Sequence, residues 1–274
     1  MEHIFERSSE KYIKGLECIS VVHERGRGIA WRIWPGAHAL LDWLENNIDQ
    51  WCESPCHVVE IGAGVGLVGV ACAALGADKV TLTDLPEELV ALERSKDSNC
   101  EIVRSKISVM PLRFGEKSDI DTVGNSHTGT KLVIVGSELI YWESLFEPIA
   151  ETLKGFIIDY NAVAYIGYRT RVWKTEKRFF TKILHKHGLD CQVVGEWLAM
   201  EEDATSQTTD GHVVYHENPN GEWNTRVYMI KRLEKNAHMC IPTKAPEVDQ
   251  ENKQPKEKKK PKKIVRQEKK GKSR

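Results

Sequence analysis

Glu60-Ile61-Gly62-Ala63-Gly64-Val65-Gly66 is the stretch on which the fold of this chain turns. Ahead of it, Cys56 to Ile61 predicts a strand. Behind it, Leu67 to Leu75 predicts a helix, with Gly76 as its C-cap. A strand, a glycine turn and a helix make the corner of an open α/β sheet, where ligands sit outside the carboxyl ends of the strands. Gly62, Gly64 and Gly66 suit that corner because a residue without Cβ lets a ligand approach the backbone. The next predicted strand, Lys79 to Thr83, is closed by Asp84, whose carboxylate can accept both hydroxyl protons of a ribose.

Two kinds of cofactor use such a corner. A dinucleotide loop reads G-x-G-x-x-G directly after the strand. Counted from Gly62, the sixth position here is Leu67; counted from Gly64, the glycines fit but start two residues late. Glu60 at the strand end also opposes a pyrophosphate, since it adds negative charge beside one. It suits a cationic ligand, and S-adenosylmethionine carries a sulfonium and an ammonium and no phosphate. A nicotinamide-dependent oxidoreductase is disfavoured on the same grounds.

Outward from this corner the chain alternates strands and helices. Glu17 to His23 and Ala30 to Trp34 predict short strands. A helix over Gly36 to Trp51 repeats Leu40, Leu41, Trp43, Leu44 and Ile48 at helical spacing. Pro86 suits the first turn of a helix carrying Leu89, Leu92 and Ser95. Ile102 to Ser108 predicts a third strand, and Gly115 to Thr130 a polar loop without a period. Leu132 to Gly136 is fully apolar, as in strands buried on both faces. Helices follow at Ser144 to Lys154 and Val172 to His187, and strands at Ala162 to Tyr168, Asp190 to Glu196 and Thr225 to Lys231. The expected fold is a Rossmann-like seven-stranded, mostly parallel sheet with helices on both faces. The last two strands lack a clear helix between them, which predicts one antiparallel strand at the edge.

Charge divides the 274 residues unevenly. Lys244 to Arg274 holds 13 Lys/Arg against 5 Asp/Glu, whereas Met1 to Thr243 holds 26 against 35. Residues 1–35 read as an N-terminal extension with short strands, 36–243 as the folded domain, and 244–274 as a disordered Lys-rich tail poor in large apolar residues. The acidic body is not a nucleic-acid platform. Lys258-Lys259-Lys260-Pro261-Lys262-Lys263 reads as a nuclear localisation signal or a patch for nucleic acid or another polyanion, and equally as a solvated tail. Seven cysteines and a polar start, Met1 to Arg7, predict reduced thiols in an intracellular, cytoplasmic protein with nuclear entry as an option. Cys52, Cys56 and His57 have zinc-like spacing but no second ligand pair, so no metal is expected. No apolar run reaches the ~18 residues of a membrane span. The chain is expected to be a monomer.

Three further pieces stand in order along the chain: Ile33-Trp34 before the first long helix, Leu112-Arg113-Phe114-Gly115 after the third strand, and Gly136-Ser137-Glu138-Leu139-Ile140-Tyr141 ending the fourth. With the glycine turn and Asp84 they resemble the class I methyltransferases, and within them the methyltransferase-like family of non-SET protein lysine methyltransferases, over residues 17 to 232. The resemblance implies that Trp34, Gly62, Ala63, Gly64, Asp84, Phe114 and Ser137 contact S-adenosylmethionine. The family's Asp-x-x-Tyr reads Glu138-Leu139-Ile140-Tyr141 here, its Trp-Gly reads Phe114-Gly115, and its Ala-Asp reads Ser137-Glu138. The aromatic swap keeps a stacking face. The acid keeps its charge but shifts it by one methylene. Glu138 is expected to hold the substrate amine and Tyr141 to shape an aromatic passage for it, leading to a protein substrate. Small-molecule or histidine acceptors, and a non-catalytic adaptor, remain alternatives, since one fold serves many acceptors. Arg169, Arg171 and Trp173 lie at the same sheet edge but read more readily as a solvated helix start, and are not among the candidates.

Overall fold

The computed structural model describes residues 6–10, 19–23, 28–127, 129–198 and 224–234. The Lys-rich tail and the segment 199–223 lie outside the described residues. Nine strands occur among the described residues. β1 (Glu6–Glu10) and β2 (Ile19–His23) form a separate antiparallel pair. The other seven form one sheet in the order β5-β4-β3-β6-β7-β9-β8. They are β3 (Cys56–Glu60), β4 (Lys79–Asp84), β5 (Ile107–Pro111), β6 (Lys131–Ser137), β7 (Val163–Arg169), β8 (Leu189–Leu198) and β9 (Asn224–Arg232). β5 to β7 pair in parallel through β4, β3 and β6, while β9 runs antiparallel to both β7 and β8. The reversed strand is thus one place in from the edge, because the β8–β9 hairpin inserts its second strand against β7. The seven-stranded, mostly parallel sheet is otherwise as expected.

Burial explains the sheet centre. All five residues of β3 are buried, as are Leu132 to Gly136 in β6. Each fully buried valine there contributes roughly 1.5–3 kcal/mol. One face is covered by α1 (Pro35–Asn46), α3 (Leu67–Leu75) and α4 (Leu89–Asp97), through Leu40, Leu44, Val68, Ala71 and Leu92. The other is covered by α6 (Lys117–Asn125), α7 (Phe146–Lys154) and α8 (Trp173–Arg178) with its continuation through Phe179–Ile183, using Ile120, Phe146, Ile149, Phe179 and Phe180. β2 is tied down by α4 and the turn after it: the Val22 amide donates to Ser95 Oγ and the Ser20 amide to Asn99 Oδ1, each at 3.0 Å.

Several local expectations differ from the structure. Ala30–Trp34 is no strand; Ile29–Trp31 forms a 3-10 turn, because Trp31 turns into the core and donates its Nε1–H to Glu88 Oε2 at 2.6 Å. The long first helix breaks at Asn47 into α1 and α2 (Ile48–Trp51). Glu101–Arg104 is a helical turn, α5, that leaves Ile102 exposed, and the third strand starts only at Ile107. The predicted loop after Gly115 contains α6, whose apolar stripe is only Ile120 and Val123. Among the described residues no helix is long and apolar enough to cross a membrane.

Candidate active site

The carboxyl ends of β3, β4 and β6 open on one cavity of about 860 Å³. All ten sequence-predicted residues line it: Trp34, Glu60, Gly62, Ala63, Gly64, Asp84, Phe114, Ser137, Glu138 and Tyr141. The parallel register of the sheet ends β3, β4 and β6 at one level and so brings Glu60, Asp84 and Ser137 together, while Trp34 comes in from the N-cap of α1.

The glycine turn requires glycine. Gly62, Gly64 and Gly66 have φ of 59°, 56° and 79°. At Gly64 a Cβ would also stand 2.6 Å from the Ala30 carbonyl oxygen, so a side chain is excluded twice. Gly62 packs under Phe114, where an added Cβ would lie 3.1 Å from Cζ. Asp84 locks the turn to β4: Gly64 N–H donates to Oδ2 at 2.7 Å and Leu85 N–H to Oδ1 at 2.8 Å. Burial pushes the Asp84 carboxyl up, and those two amides hold it down in part. Each oxygen keeps a lone pair toward the cavity, as a ribose site needs.

Glu60 is 2% exposed. Its Oε2 accepts the Gly69 N–H at 2.7 Å, so it caps the start of α3 as well as lining the cavity. Burial pushes its carboxyl up to about 8. A cation entering beside it would restore the carboxylate, which is the electrostatic role expected of Glu60.

Glu138 is held by more of the protein than its motif indicates. It sits at φ 57°, one of two non-glycine residues with positive φ among the described residues. Such backbone costs on the order of 1–3 kcal/mol and persists only where the surroundings hold it. Here they do: its own N–H donates to Gly167 O at 2.8 Å, its Oε1 accepts Gly36 N–H at 2.8 Å, and its Oε2 pairs with Arg171 Nη2. Both carboxylate oxygens therefore accept one protein hydrogen bond each, while the residue still lines the cavity. Gly36 and Gly167 allow this, since a Cβ on Gly36 would meet Glu138 Oε1 at 2.6 Å and one on Gly167 would meet the Gly36 carbonyl. Burial raises the Glu138 carboxyl, opposed chiefly by the Arg171 charge.

Arg171, which the sequence reading does not count among the candidates, lines the cavity as well. It is not a solvated helix start: its side chain is 16% exposed, it lines the cavity, and its guanidinium carbon lies 5.8 Å from the Trp34 ring centroid. Arg169 is buried too, at 8% exposure. The signal was there in the acid at the end of the neighbouring strand, since a buried Glu138 needs a cation. Tyr141 is half-buried, with its hydroxyl raised by burial first and by Asp84 second, so it stays protonated and can donate. Beside it Trp142 is 58% exposed at the cavity mouth.

A family model described as lysine methyltransferase matches residues 15–186. The chain belongs to that family. Similar proteins include mouse EEF1A lysine methyltransferase 3, 30% identical over 163 residues, covering 58% of this chain and 64% of that protein. Mouse protein N-lysine methyltransferase METTL21A is 31% identical over 160 residues, covering 58% and 69%. The matched part thus spans about two thirds of the length of these relatives. A SAM-dependent methyltransferase from Agrobacterium tumefaciens shares the fold, with a TM-score of 0.52 at 11% identity over 85% of this chain and 71% of that one. The family member described here is an S-adenosylmethionine-dependent methyltransferase. Its cavity fits that cofactor on its own terms: a glycine turn at positive φ, a ribose-type acid in Asp84, a buried acid for a cation in Glu60, and a guanidinium nitrogen, Arg171 Nη1, that is buried without a hydrogen-bond partner among the described residues.

Proposed function

We propose that the protein methylates the ε-amine of a lysine in another protein. The observation that carries this reading is that Tyr141 and exposed Trp142, with ring centroids 4.9 Å apart, line the same cavity as Gly62, Gly64 and Asp84. An aromatic passage admits a long, thin side chain and favours a cationic centre within it. The relatives named as protein lysine methyltransferases support the same acceptor.

When bound, S-adenosylmethionine supplies a methyl group already activated on sulfonium. Asp84 would hold the ribose hydroxyls, Glu60 the ammonium, and Trp34, Phe114 and Ser137 the remaining contacts. The substrate amine, with a free pKa of ~10.4, must arrive unprotonated. The bound donor would offer its methyl carbon to the amine's lone pair and keep the C–S electron pair on sulfur, and the amine proton would pass to water. Alignment supplies most of such a displacement. Tyr141 touches the amine as the residue lining the passage, while Glu138 acts as a positioning residue that fixes α1 and Arg171 around it.

Incubation with methyl-labelled S-adenosylmethionine and cell extract tests the acceptor. Hydrolysis of the labelled protein should return label as N-methyllysines. Label recovered as methylhistidine, or only in the small-molecule fraction, contradicts it.

A further inference from the structure

The geometry points to Arg171 as the residue that binds the carboxylate of the cofactor's amino-acid moiety. The assignment rests on S-adenosylmethionine as the donor and not on which acceptor is methylated.

Arg171 is fixed in place before any ligand arrives. Nη2 pairs with Glu138 Oε2, the guanidinium lies against Trp34, and the backbone N–H donates to Glu176 Oε2 at 3.0 Å. Glu176 is itself buried and also accepts the Val172 N–H at 2.8 Å and the Tyr168 hydroxyl. The loop after β7 is thus pinned, and the fork it carries has one arm committed. The other arm, Nη1, is buried and has no hydrogen-bond partner among the described residues. A buried guanidinium N–H left unpaired is costly, and the cost is removed when an acceptor arrives.

The chemistry of what enters the cavity selects the acceptor. Donor and substrate together bring an adenine, a ribose, a sulfonium, an ammonium, a carboxylate and a lysine amine. The sulfonium, the ammonium and the amine would be repelled by a guanidinium. Of the whole set only the carboxylate is an anion, and carboxylates match the planar Arg fork. Glu60, which lines the same cavity, then takes the ammonium, so each charge of the amino-acid group meets an opposite one.

Two other arginines line the cavity. Arg113 is held by Asp119 through Nε at 2.8 Å and Nη2 at 3.0 Å and is over half exposed. Arg32 is half-buried on the 3-10 turn side. Arg171 alone of the three is both held by a buried carboxylate and has an unpaired buried arm, and preorganisation favours it.

Calorimetric titration of the full chain with S-adenosylmethionine and with decarboxylated S-adenosylmethionine isolates the carboxylate. Wild type should bind the first about ten- to hundredfold more tightly, the worth of a charge-assisted hydrogen bond. In Arg171→Ala that ratio should fall toward one while binding of the decarboxylated compound persists, and in Arg32→Ala it should stay. Where the alanine variant binds neither compound, Arg171→Gln, which can still donate to Glu138, is read by the same ratio. A ratio unchanged in the Arg171 variants, or one that collapses in Arg32→Ala instead, overturns the assignment. Wild type that binds neither compound overturns the donor itself, a distinct failure.

Discussion

Glu138 accepts the amide hydrogen of Gly36 at 2.8 Å across 102 residues of sequence, so the acid that follows β6 holds the first turn of α1. The same carboxylate neutralises Arg171. Three segments that face the cavity are joined by one buried side chain.

Removing that side chain should therefore cost stability as well as activity. Glu138→Ala leaves Arg171 unpaired in the interior and should destabilise the protein by about 3–5 kcal/mol. Glu138→Gln keeps an acceptor for Gly36 and should cost clearly less. Urea denaturation of both variants measures the difference; an alanine variant as stable as wild type contradicts the joining role.

The glycine turn makes an ordered pair of predictions. Gly64→Ala meets both the φ of 56° and the Ala30 carbonyl, and should lose S-adenosylhomocysteine binding and several degrees of melting temperature. Gly188→Ala meets a φ of 75° with nothing within 4 Å, so it should cost only the backbone term of about 1 kcal/mol and leave binding intact. Equal effects at the two sites would remove the steric argument for Gly64.

Glu60 makes stability depend on pH in a stated direction. Its carboxyl rises from 4.5 to about 8 on folding, so the native state binds more protons than the unfolded state between those values. Stability from this group is full below about 4.5, falls as pH rises through that window, and levels off above about 8. Glu60→Gln should flatten that slope in melting curves from pH 5 to 8. Cofactor binding near pH 7 should release a proton in wild type and not in Glu60→Gln, read as a buffer-dependent calorimetric enthalpy. Identical proton release in the two proteins would show that no cation meets Glu60.

Trp142 is the mouth residue least tied to the fold, at 58% exposed. Trp142→Ala should leave melting temperature within about 1 °C and cofactor affinity unchanged, as surface substitutions do. It should raise KM for the protein acceptor several-fold. A matching loss of cofactor affinity would place Trp142 in the donor site instead.

Much of this was legible because it is local. The strand, glycine turn and helix around Gly62 are written in consecutive residues, and Asp84 follows at a fixed interval. The alternation of strands and helices likewise predicts the parallel sheet. What was not legible is set by distant partners. Ala30 to Trp34 alternates like a strand, but Trp31 finds Glu88 and folds inward. Ile102 and Val103 favour a strand, yet only Val103 is buried, and the sheet takes up the chain at Ile107. The two-residue stripe of α6 is too short for its period to stand out. The place of β9 inside the edge depends on which neighbour it pairs with, and nothing in its own residues states that. Glu138 stands out as a motif, but its work on Gly36 and Arg171 shows only when the ends of β6 and β7 and the start of α1 are side by side.

The central claim is that one cavity holds the donor between the Gly62–Gly64 turn and Asp84 on one side and Tyr141 on the other. A crystal structure of the protein with S-adenosylhomocysteine tests it most directly. The account predicts ribose hydroxyls on Asp84 and the sulfur turned toward Tyr141. A ligand bound with its ribose away from Asp84, or with its sulfur facing away from Tyr141, would contradict it.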